Sequence, residues 1–187
     1  MTATGPQGFE TGLAQTLSAV EAALWARDMP KAEALSETAV GQGAEHPTLL
    51  SLAALGRRRA GANDTALPLL LRARQQMPRH ADLLYALGEC LSRLGRPAEA
   101  LEAFDSAIAV APEARSWFGR ALALEDLSQL DAARAAFEKV LALNPAQAEA
   151  LSRLAVLAIQ RGDIQAARLL PAGRWRSMPM TLPRASP

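Results

Sequence analysis

The chain has 187 residues, of which 41 are Ala and 30 are Leu, so two strong helix formers make up 38 % of it while aromatics supply only 4 %. That balance points to an all-α protein. Twenty basic against nineteen acidic residues leave a formal net charge of +1, too little to draw the chain onto nucleic acid or an acidic membrane. The lone cysteine, Cys90, excludes an internal disulfide and argues against a Cys-based zinc site. No stretch stays free of charge for the roughly 18 apolar residues that a membrane span needs. Met1 to Gly12 lacks the basic and apolar regions of a secretory signal. The expectation is a soluble cytoplasmic protein, and basic residues that are almost all Arg, with only Lys31 and Lys139 as lysines, fit a GC-rich bacterial genome.

In chain order, residues 1–12 read as a disordered N-terminal segment, and from residue 13 the sequence repeats. Ala32, Ala66, Ala100, Ala133 and Ala167 are spaced by 34, 34, 33 and 34 residues. Ala39, Ala73, Ala107 and Val140 run in step with them, as do Gly61, Gly95, Ser128 and Gly162, and Pro78, Pro112 and Pro145. A period of this length predicts units of two antiparallel helices. The Gly column supplies the positive φ that stops a first helix and reverses the chain. The Ala columns fall on the second helix, where a methyl lets neighbouring helix axes approach closely. Leu84, Leu87, Leu91, Leu94, Leu101, Phe104 and Ile108 recur at three- and four-residue steps, giving one buried stripe per helix. The prolines end each second helix. One such unit cannot bury its stripes alone, so the units must stack.

These residues resemble the tetratricopeptide repeat family. Its pattern W/L-x2-L-G-x2-Y, then A-x3-F, then P, is met in unit 81–114 by Leu84, Leu87, Gly88, Leu91, Ala100, Phe104 and Pro112. Unit 114–147 matches with Trp117, Ala121, Leu124, Ala133, Phe137 and Pro145, and unit 47–80 with Leu50, Ala54, Gly61, Ala66, Leu70 and Pro78. Unit 13–46 keeps Ala32 and Ala39 but has Thr16 and Ser36 where bulky residues are usual, so it reads as an N-terminal capping repeat. The resemblance implies an α-solenoid of about four and a half helix pairs over residues 13–170, wound as a right-handed superhelix. Pro112 and Trp117 lie one residue closer than Pro78 and Leu84, a deletion expected to tilt the fourth unit slightly without breaking the stack.

A partial fifth unit, 148–170, opens with Leu151, Leu154, Ala155 and Ala158, turns at Gly162, caps a second helix with Asp163, and fails at Pro171. Beyond Ile164 there is no acidic residue, while Arg168, Arg174, Arg176 and Arg184 alternate with Pro171, Pro179, Pro183 and Pro187. Residues 171–187 read as a disordered basic tail. Back-translated with chosen G/C-rich codons and read one frame over, Leu169 to Pro187 also yield a helical A-L-A-L-D-A in register with residues 140–145, which suggests a frameshifted or mis-called remnant of a longer repeat protein.

No catalytic constellation appears, and no cofactor or metal is expected. His46 and His80 fall at the ends of their units and read as solvated loop residues, and Cys90 as a small buried hydrophobe. Nucleophile-elbow, Walker A, zincin and dinucleotide-binding motifs are missing from the sequence. The resemblance implies that first helices line a concave face that holds a partner peptide. By position, the groove residues are Leu55, Arg58 and Arg59; Asp82, Tyr85, Glu89, Ser92 and Arg93; Arg115, Phe118, Leu122, Glu125 and Asp126; and Glu149, Ser152, Val156 and Gln160. Tyr85 and Phe118 are the expected anchors, and Arg58, Arg59 and Arg93 the expected partners of a peptide carboxylate. The Lys and Asn pair with which chaperone-tail binders hold a C-terminal carboxylate is replaced here by Ser51 and Leu55, Tyr85 and Glu89, and Phe118 and Leu122. The expectation is a non-catalytic scaffold for a protein or peptide partner. The alternative is a repeat region that precedes the catalytic domain of a larger bacterial enzyme, such as a sulfotransferase or hydroxylase. Self-association through the stripe of Leu151, Leu154 and Leu157 is a third expectation.

Overall fold

The computed structural model describes residues 6–162. Within them the chain forms α1 (Pro6–Trp25), α2 (Met29–Gly41), α3 (Pro47–Arg59), α4 (Asn63–Gln76), α5 (Ala81–Arg93), α6 (Pro97–Val110), α7 (Ala114–Asp126), α8 (Leu130–Leu143) and α9 (Ala148–Gln160). There is no strand among the described residues. The second helix expected after Gly162, the break at Pro171 and the basic tail lie outside them.

Each helix packs on its neighbours in the chain, and α5 also touches α3 and α7. First helices therefore meet one another directly and form one wall of an open stack of helix pairs, an all-α solenoid. The Ala columns explain how tightly the pairs close. Ala32, Ala66, Ala73, Ala100, Ala107 and Ala133 are all fully buried, so side-chain bulk does not hold the axes apart. Phe104 and Phe137 fill the remaining space, at 1 % and 0 % exposure.

The helical hairpins turn in one way. Gly61, Gly95, Ser128 and Gly162 all have positive φ, and Arg27 extends the column to the first unit with φ 57°. After each of the first four such residues in the chain, an amide reaches back five residues to a carbonyl. These bonds run Asp28 to Ala23, Ala62 to Arg57, Arg96 to Leu91 and Gln129 to Leu124, at 2.8–3.0 Å. The result is a Schellman turn that satisfies the last carbonyls of each first helix. The loop between α6 and α7 has three residues against four before α5 and α9, and α6 still packs on α7.

The first unit differs from expectation at its start. α1 begins at Pro6 and so runs through most of the segment 1–12 expected to be disordered; Pro6 suits a first helical position, where no amide is needed. The outer side of α1 is polar or small. Gln15 and Ala22 are exposed, whereas Leu49 and Leu83, equivalent to Gln15, and Cys90, equivalent to Ala22, are buried. Ser36, fully buried, satisfies its hydroxyl by donating to the Ala32 carbonyl at 2.8 Å.

Candidate functional site

The repeat places the residues at second, fifth, ninth and twelfth positions of the first helices on the wall that α3, α5 and α7 share. Tyr85 and Phe118 occupy the fifth position of α5 and α7, and both are half-buried. Each is braced from behind by a buried ring. Tyr85 lies 5.9 Å from Phe104 between centroids, and Phe118 meets Phe137 edge-on at 5.6 Å. Such braced aromatics lose little side-chain entropy when a partner covers them. Leu122, one turn along from Phe118, is half-buried against the cluster formed by Phe137, Val140 and Leu154.

Phe104 also fixes how closely α5 and α7 approach. A methyl group added at Gly88 would stand 2.7 Å from its ring, and one at Gly119 2.5 Å, so both helices need glycine where they grip it.

The charges on the wall are largely paired with one another. Arg58, whose side chain is only 10 % exposed, donates to Glu89 on the next first helix, and its Nε is buried with no protein acceptor. Arg115 bonds Asp82 and, at 2.6 Å, Glu113, and its guanidinium sits over the Tyr85 ring at 5.0 Å. Glu125 accepts from Arg153 at 3.1 Å. Arg59 points away from the wall and bonds Glu33 of α2 at 2.8 Å. Arg58 and Arg59, expected as partners of a peptide carboxylate, are thus paired within the unbound chain. Of the three arginines, only Arg93 has no ion pair among the described residues, and it is exposed.

Burial pushes the Tyr85 phenol up to about 12, with the Glu89 carboxylate adding to the rise and Arg115 and Arg58 opposing it. Burial also raises the Glu125 carboxyl; Arg153 pulls it back and Asp126 adds to the rise. Cys90 is fully buried, and desolvation raises its thiol, which marks an inert packing residue. His80 caps α5 by accepting from the Leu83 amide at 3.3 Å, and His46 stands at the same place before α3. Among the described residues no group of His, Cys, Asp and Glu is placed to hold a metal ion, and no helix is long and apolar enough to cross a membrane.

One position escaped the sequence reading. Ile159 shares the twelfth position with Arg58 and Glu125, and the period alone would have placed it. The apolar stripe of α9 is covered: Leu154 and Leu157 are 7 % and 2 % exposed against α8, and the exposed apolar residues of that helix are Val156 and Ile159. Of the expected stripe, Leu154 and Leu157 are thus covered within the chain and Leu151 is half-buried.

Two family models described as tetratricopeptide repeat match residues 57–123 and 118–172. The chain belongs to the tetratricopeptide repeat family. None of the curated proteins matches it. Among solved structures, MamA residues 41 to the end from Desulfovibrio magneticus RS-1 superposes with a TM-score of 0.72 at 18 % identity, covering 83 % of this chain and 88 % of that one. YrrB, described as a TPR protein with an unusual peptide-binding site, gives 0.69 at 18 % identity over 85 % and 86 %. The first TPR of Spaghetti (RPAP3), bound to the HSP90 peptide SRMEEVD, gives 0.60 at 21 % identity over 62 % and 93 %. At these identities the likeness shows the fold.

Proposed function

We propose that this repeat protein is a non-catalytic scaffold that holds a segment of another protein along the wall formed by α3, α5, α7 and α9. The observation that carries this reading is the pair of half-buried aromatics on successive first helices, Tyr85 and Phe118, each backed by a buried phenylalanine. Rigid aromatics on a shared wall present apolar area at low entropic cost, and binding energy concentrates on such residues. The peptide sites of YrrB and of the RPAP3 repeat domain, on similar folds, support the reading. The scaffold has no reaction to catalyse; its work is to present a preformed wall.

Affinity capture from the source cells tests it, with the wild-type chain and the Tyr85→Ala, Phe118→Ala double variant as baits. Partners held by the wild type are lost from the double variant, while circular dichroism shows unchanged helicity. Retention of the same partners by the double variant refutes the wall as the binding surface.

A further inference from the structure

The wall changes character along its length, and its C-terminal half carries a distinct surface. The period aligns Leu122 of α7 with Val156 of α9, and Glu125 with Ile159. Val156 and Ile159 are 45 % and 52 % exposed, beside the half-buried Phe118 and Leu122. The cations of these two helices are already paired: Arg115 with Asp82 and Glu113, Arg120 with Asp105, and Arg153 with Glu125. Two exposed carboxylates border the apolar residues, Asp126 at the end of α7 and Glu149 in the first turn of α9, and neither is in an ion pair among the described residues.

We propose that this surface takes an apolar stretch of a separate partner protein flanked by Lys or Arg. The inference rests on the scaffold reading and names the chemistry of the partner. An apolar stretch covers Phe118, Leu122, Val156 and Ile159, and the hydrophobic effect drives that burial without regard to direction. Direction and register come from the border, where Asp126 and Glu149 attract cations and repel carboxylates. An acidic partner meets both carboxylates and finds the nearest guanidiniums bonded to other groups.

The test is selection of random peptides displayed on phage against the full chain, followed by affinity measurements with the enriched peptides. Enriched sequences combine Lys or Arg with aliphatic or aromatic residues. The Asp126→Arg, Glu149→Arg variant weakens them at least tenfold at low salt, with a smaller effect at high salt. The Val156→Ser, Ile159→Ser variant weakens them at every salt concentration, and circular dichroism confirms that both variants fold. Enrichment of acidic peptides overturns the inference and leaves the scaffold reading standing. So do peptides that bind both variants as well as the wild type yet are lost from the Tyr85→Ala, Phe118→Ala chain. Tight binding of a synthetic peptide of residues 173–187, which contains Arg174, Trp175 and Arg176, reassigns the surface to the chain's own segment and overturns the separate partner. Enrichment of no peptide at all overturns both readings.

Discussion

Gly119→Ala probes the contact that sets the wall's geometry. The new methyl would stand 2.5 Å from two ring carbons of Phe104, well inside van der Waals contact. The ring cannot step aside. It is 1 % exposed, Gly88 faces it from α5 with room for no methyl, and the tilted Tyr85 ring lies 5.9 Å from it between centroids. Overpacking of this kind costs about 1–3 kcal/mol, while replacing a helical glycine by alanine returns about 1 kcal/mol. The expected net loss is therefore about 0–2 kcal/mol, read as a lower urea midpoint at unchanged slope. Phe104→Leu removes the obstructing ring carbons. In that background Gly119→Ala becomes neutral or stabilising, a coupling of about 1–3 kcal/mol in the double-mutant cycle. An equal change in both backgrounds refutes Phe104 as the spacer between α5 and α7.

Ser128→Gly stabilises the chain by about 0.5–1 kcal/mol, because Ser128 holds φ 59° where Gly61, Gly95 and Gly162 pay no steric penalty; an unchanged or lower melting temperature contradicts this. In an ultraviolet titration Tyr85 ionises near pH 12 instead of 10. The folded phenol thus keeps its proton where the unfolded one loses it, so stability falls as pH rises from 10 to about 12, and ionisation at the ordinary value argues against the buried position. Arg58→Ala costs about 1 kcal/mol, since Glu89 can turn to water once its partner is gone, and it moves the Tyr85 titration higher because a cation that favours phenolate is removed. A titration that stays in place separates Arg58 from the Tyr85 environment.

The fold was legible in the sequence wherever packing demands a residue type. A fully buried position between close helices admits only a small side chain, which is why the Ala32, Ala66, Ala100 and Ala133 column marks the second helices so plainly. A turn at positive φ favours glycine, so three of the five turns were visible at once. Arg27 was not, because its backbone conformation is imposed by the Schellman bonds around it rather than announced by its side chain. The start of α1 at Pro6 was hidden by the glycines at 8 and 12, which lower helix propensity without forbidding the helix.

The wall was legible as a set of positions and illegible as a set of interactions. Arg58 and Glu89 are 31 residues apart, Asp82 and Arg115 33, and Glu125 and Arg153 28. The period brings these columns side by side, but which carboxylate each guanidinium selects depends on rotamers and on burial. Arg58 and Arg59, which look available along the sequence, are paired within the fold. Ser36 shows the same gap from the other side, since a polar residue at a core position becomes harmless once its hydroxyl bonds the preceding turn.

Amide hydrogen exchange of the full chain, with and without a captured partner or selected peptide, tests the central claim most directly. Binding on the shared wall slows exchange in α5, α7 and α9 and leaves α4, α6 and α8 at their free rates. Protection confined to the second helices, or spread evenly over both, contradicts it.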